Sequence, residues 1–139
     1  MSFALHPRLS RDTDFVGDLA LCRVLLMNDS RWPWLILIPR RENLVELTDL
    51  YARDRARLIK EAALAADWLK AHAGADKMNL GALGNVVRQL HVHVVARTEG
   101  DPAWPGPVWG FGAPVPYADD QAHALIAAAR KGLRVEARP

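Results

Sequence analysis

Residues 89 to 95, Gln89-Leu90-His91-Val92-His93-Val94-Val95, alternate polar and apolar side chains up to Val94. Side chains at i and i+2 of a strand project from the same face, so this run reads as a strand with one face for a core and one for chemistry. Leu90, Val92 and Val94 take the core side, while Gln89, His91 and His93 share the other. The preceding Asn79-Leu80-Gly81-Ala82-Leu83-Gly84-Asn85 is a glycine-bearing turn whose bare backbone amides can approach a phosphate closely. A glycine turn leading into paired imidazoles points to chemistry on a phosphate ester with a histidine nucleophile.

The rest of the chain builds a frame for that segment. Pro7 and the spacing of Leu5, Leu9, Phe15 and Val16 predict a short amphipathic helix over residues 5 to 16. Residues 19 to 27 and Trp34-Leu35-Ile36-Leu37-Ile38 read as two strands joined by the turn formers Asn28-Asp29-Ser30-Arg31, with Pro39 ending the second. Thr48 is the expected cap of a long helix whose apolar positions, Leu50, Tyr51, Leu58, Ile59, Ala62, Ala66 and Leu69, recur as far as Ala73 and stop at Gly74. Strands are expected over 77 to 82 and 86 to 97, and a last helix from about Ala118 to Lys131. Between them, residues 100 to 117 hold five of the nine prolines with Trp104 and Trp109, the pattern of an irregular, packed loop. Strands, long helix, strands and helix give an α+β domain with an antiparallel sheet, one domain over residues 1 to 139.

Composition narrows the function classes. A net charge of +2 gives no argument for a nucleic-acid partner. No apolar run reaches the roughly 18 residues of a membrane span, and the N-terminus lacks the apolar core of a signal peptide, so a soluble, cytoplasmic protein is expected. The single cysteine, Cys22, excludes an internal disulfide framework and reads as packing in a buried strand.

Paired strand histidines could instead ligate zinc or iron. Local similarity to a cupin exists, with Glu99 and Gly106 following His91 and His93, but the spacings miss by about a residue and cupins are β-rich double sheets. No third ligand is evident, and the expectation is no metal and no cofactor. Another similarity is more specific. Gly84-Asn85-Val86-Val87-Arg88-Gln89-Leu90-His91-Val92-His93-Val94-Val95-Ala96-Arg97 resembles the signature of the histidine triad (HIT) family, in which a glycine and an amide residue precede His-φ-His-φ-His-φ-φ. Ile36-Leu37-Ile38-Pro39-Arg40-Arg41 resembles the strand that family ends with Ile-Pro-Lys or Ile-Pro-Arg, and Asn79 matches the polar residue opening its catalytic hairpin.

The resemblance implies a HIT-like fold, a homodimer and a nucleotide-conjugate substrate such as a dinucleoside polyphosphate or nucleoside phosphoramidate. It places the nucleophile at His91, a hydrogen-bonding partner at His93, phosphate contacts at Gly84 and Asn85, and a ribose or phosphate contact at Asn79. Arg97, on the His91 face if the strand stays regular, is a further phosphate or carboxylate partner. The chain departs from the pattern twice. Gln89 fills the first histidine position, where the family holds the nucleophile's Nδ1 through a backbone carbonyl that any residue supplies. Glu42 stands where the Ile-Pro-Lys-Lys-His form has another histidine, and a carboxylate there would repel a polyphosphate or pair with an arginine. A hydrolase or transferase forming a nucleotidyl-histidine is the leading expectation; a non-catalytic nucleotide-binding or regulatory module is the alternative. His6, His72 and His123 are assigned to the surface, and Trp104 and Trp109 to core cover or to closing the site.

Overall fold

A strand with no polar position needs cover on both faces, and Trp34-Leu35-Ile36-Leu37-Ile38-Pro39 is such a strand. A computed structural model of the chain describes residues 3 to 138. Its elements are α1 (Pro7–Asp12), β1 (Thr13–Asp18), β2 (Cys22–Met27), β3 (Trp34–Pro39), α2 (Ala52–Ala73), β4 (Lys77–Gly81), β5 (Val92–Arg97) and α3 (Asp119–Leu133). The five strands form one antiparallel sheet in the order β1-β2-β3-β5-β4, and all six residues of β3 are buried at its centre.

Each face of the sheet carries its own core. On one, Val24, Leu26, Leu35, Leu37, Val94 and Ala96 pack on Leu58, Ala62, Ala65 and Leu69 of α2 and on Ile126, Ala129 and Leu133 of α3. On the other, Leu25, Trp34, Ile36, Ile38 and Val95 meet Leu9 of α1 with Trp32, Val87, Ala103 and Val108 from the connecting segments. The second core is the one that matters for function, because His93 lies on that face of β5, opposite Ile36 of β3 and Gly81 of β4. Among the described residues no helix is long and apolar enough to cross a membrane.

The α+β reading holds, with corrections at several boundaries. The helix expected over 5 to 16 stops at Asp12, and Thr13–Asp18 become the edge strand β1. Pairing with β2 outweighs the helical spacing of Phe15 and Val16, both of which suit a pleated surface. Thr48 does not cap the long helix. Leu47–Asp49 form a separate 3-10 turn, tied by the Asp49 carboxylate to the amides of Val45 and Glu46, and α2 begins after Tyr51. The strand expected over 86 to 97 begins only at Val92, where its pairing with β3 ends opposite Leu37, although β3 itself runs on to Pro39 against β2. Leu90 turns its amide to the Leu44 carbonyl instead.

One buried carboxylate escaped the reading of α2 as an apolar stripe. Glu61, 5% exposed, accepts from the amides of Leu21 at 3.0 Å and Cys22 at 2.8 Å, closing the entry to β2 from the helix layer. Cys22 beside it is fully buried, and burial first, then the Glu61 carboxylate, pushes its thiol well above the ordinary range. Packing is therefore its role. Glu61→Ala leaves two buried amides without an acceptor and is expected to destabilise the fold by about 2–4 kcal/mol, with Glu61→Gln milder. The shift of the urea midpoint at unchanged m-value measures it.

Candidate active site

The loop before β5 places the first imidazole. Gly84, with φ +70°, turns the chain in the left-handed region, and the segment then wraps under the sheet with Val87 buried in the second core. This brings the carbonyl of Gln89 to 2.5 Å from His91 Nδ1. A carbonyl only accepts, so Nδ1 carries the hydrogen and Nε2 keeps its lone pair. The strand β5 itself places the second imidazole. His93 Nδ1 lies 3.0 Å from Nε1 of Trp34, and an indole N–H only donates. His93 is thus the opposite tautomer, with the hydrogen on Nε2. The two rings, 4.9 Å apart between centroids, are a matched pair: one nitrogen free to attack and one free to donate.

Burial keeps both rings neutral. His93 is pushed down to about 3, first by burial and then by the neighbouring His91. His91 is also lowered, by burial above all; the Gln89 carbonyl works against this, and an electrostatic effect of His6 adds to it. Trp109 completes the dry wall, its ring centroid 5.5 Å from that of His93 and 6.4 Å from that of Trp34. The absence of a side chain at Gly81 lets it lie there, since a Cβ would stand 3.2 Å from the indole.

These groups open into a cleft of about 500 Å³ lined by His91, His93, Gly84, Asn85, Trp34, Trp109, Phe111 and α1 residues including Arg8 and Leu9. Its far wall is a strap, residues 108 to 117, laced to the β2–β3 turn. Ser30 donates to the Val115 carbonyl, Tyr117 to Asn28 Oδ1, and Arg31 to the Phe111 carbonyl while its guanidinium grips Asp29.

The expected site residues divide into two groups. His91, His93, Gly84 and Asn85 meet in the cleft, and Gln89 reaches it through its carbonyl. Asn79 and Arg97 do not line it. Arg97, 1% exposed, makes a bidentate pair with Asp101 at 2.8 and 3.0 Å and donates to Asn79 Oδ1 at 2.8 Å, under Trp32 and Trp104. It finds a carboxylate partner inside its own chain, not a phosphate, and it holds the Asp101 carboxyl far below the usual range. Trp104 covers this pair, whereas Trp109 faces the cleft. Glu42 lies on the other side of Gln89 in a hollow with His6 and Arg41, outside the cleft lining. Trp34 is the residue that sequence reasoning missed. Its signal is register: on a strand paired with β5, Trp34 shares a face with Ile36, the partner of His93.

The HIT domain family model matches residues 8–100. A histidine triad protein from Sinorhizobium meliloti 1021 is 51% identical, with a TM-score of 0.92 over 94% of this chain and 97% of that one. One from Marinobacter aquaeolei VT8 is 46% identical, TM-score 0.93, over 95% and 96% of the two chains. One from Bradyrhizobium japonicum is 43% identical, TM-score 0.93, over 96% and 99%. Among curated proteins none matches this chain. The family model, the three structural neighbours and the antiparallel sheet, with His93 on β5 and His91 just before it, agree, and the chain belongs to the histidine triad family.

Proposed function

We propose that this chain is a nucleotidyl hydrolase or transferase acting at the α-phosphate of a nucleotide conjugate, of the dinucleoside polyphosphate or nucleoside phosphoramidate type. The observation that carries the reading is the opposed tautomers of the two imidazoles. The lone pair on His91 Nε2 attacks the α-phosphorus; a P–N bond forms and the bond to the leaving oxygen or nitrogen breaks, its electron pair going with the leaving group. The His93 Nε2–H donates to a nonbridging oxygen or to the leaving atom, where negative charge grows. Asn85 and the amides after Gly84 hold the remaining oxygens. Water then attacks phosphorus, releasing nucleoside monophosphate and returning the lone pair to Nε2.

Neutrality supports these roles, because a nucleophile must not be protonated and His91 is shifted in that direction. The apolar cleft beside it, with Trp109 and Phe111, suits a nucleoside. Histidine at position 89 is not needed on this reading, since the backbone carbonyl orients His91 whatever side chain follows it. The chain is proposed to work as a homodimer, which the exposed Ile59 of α2 and Tyr51 just before it favour. A binding-only module is the competing reading. Release of nucleoside monophosphate from a panel of dinucleoside polyphosphates and phosphoramidates decides between them, and failure of the purified protein on the whole panel sinks the enzyme.

His91→Ala is expected to abolish turnover with the fold retained, and His93→Ala to lower the rate by ~10²–10³-fold. Trp34→Phe removes the donor that fixes His93 and should cost about tenfold or less, with imidazole ¹⁵N shifts reading a mixed tautomer. The acid limb of kcat/KM is expected below pH 6.5, because the lowered His91 pKa keeps the free base available there.

Stability follows the same groups. Both rings are held neutral in the fold, so below pH 6.5 the unfolded chain takes up protons that the folded chain refuses, and the penalty grows until about pH 3 for His93. His93 alone should remove about 2 kcal/mol between pH 7 and pH 5, and His93→Gln should flatten that part of the curve of urea midpoint against pH. An unchanged curve would show that His93 is protonated without cost.

A further inference from the structure

The side chain of Gln89 makes contacts that a histidine there could not. Its Oε1 accepts from the His6 amide at 2.8 Å and its Nε2 donates to the Ala4 carbonyl at 2.9 Å. Residues two apart on an extended segment offer groups along one edge, and a primary amide carries a matching acceptor and donor on a single carbon. An imidazole has its two nitrogens on diverging sides of the ring and can meet only one of these partners. The amide therefore grips the N-terminal segment across more than eighty residues of sequence.

What it grips leads into the cleft. His6 caps α1, its Nδ1 accepting from the Arg8 amide at 3.1 Å, and α1 presents Arg8, Leu9 and Asp12 to the same cleft as His91 and His93. The cleft lining holds two arginines. Arg31 is committed to Asp29 and to the Phe111 carbonyl. Arg8 approaches Asp12 only at 3.7 Å, with its side chain 52% exposed, and a pair of that kind is worth little against an incoming anion. His6 is close enough to His91 to act on it electrostatically, so the gripped segment borders the reacting centre.

We propose that the Gln89 side chain is a positioning residue: it clamps Ala4–His6 and so holds Arg8 at the mouth of the cleft, where Arg8 binds the phosphate-bearing part of the substrate. The clamp stands on its own geometry; the role of Arg8 rests on the nucleotide reading given above.

Two variants test it. Gln89→Met keeps the length of the side chain and removes both hydrogen bonds, and Arg8→Ala removes an exposed cation. In the ligand-free protein, amide exchange at His6 should quicken about tenfold or more in Gln89→Met, the loss expected for one hydrogen bond. Nucleoside monophosphates and their parent nucleosides are then titrated by tryptophan fluorescence. Monophosphate affinity should fall about five- to tenfold in each variant and no further in the double variant, while nucleoside affinity stays within about twofold. On whichever conjugate is turned over, Gln89→Met should raise KM and leave kcat within about twofold.

Unchanged exchange at His6 removes the clamp. Faster exchange with unchanged monophosphate affinity, or losses that add in the double variant, separates Gln89 from Arg8 and overturns the proposal. A natural protein that binds neither monophosphates nor nucleosides ends the nucleotide reading and the role of Arg8 with it. In that case the exchange result alone still decides whether the clamp exists.

Discussion

Two buried imidazole rings lie almost in contact at the wall of the cleft, each with one nitrogen already spent on a fixed partner. Burying a charge there is costly, so both rings stay neutral, and their partners then decide which nitrogen keeps the hydrogen. Much of the surrounding architecture serves that arrangement. The second core under Trp34 and Val95 supplies the burial. The end of strand pairing at Val92 frees the chain to bend, which brings a carbonyl back onto His91. The indole on the neighbouring strand sets His93. A triad pattern with one member replaced is compatible with this physics because position 89 contributes through its backbone.

The same division explains what could be read from the sequence. The apolar run of β3 and the long periodicity of α2 announce themselves, since each repeats one local rule over many residues. The shared face of His91 and His93 was also legible, although His91 precedes the strand that was expected to carry it. What failed were features set by a distant partner. Whether Gln89 to His91 pair in a sheet depends on the segment around Leu44, which takes the Leu90 amide, and whether Phe15 is helical depends on β2. Arg97 looked available although Asp101 stands only four residues on, because strand alternation does not show the chain folding back there with Asn79 alongside. Glu61 sits in a helical stripe that composition alone would expose, and only the bare amides of Leu21 and Cys22 account for its burial.

Side chains on the cleft fall into sets supplied by separate stretches of chain. β5 and the turn before it bring the two imidazoles, α1 brings a cation, and the strap over residues 108 to 117 brings the aromatic wall. The family model ends at residue 100, before that strap begins.

The lacing of that strap to the β2–β3 turn has a consequence for how such a cleft can change. Its stitches are the Ser30 amide on the Val115 carbonyl, the Val115 and Tyr117 amides on Asp29 and Asn28, and Arg31 on the Phe111 carbonyl, none of which involves β5. A substitution in the turn can therefore loosen or reseat the aromatic wall while leaving the tautomers of His91 and His93 undisturbed. Loop drift in this protein would reshape the wall of the cleft long before it moved the two imidazoles.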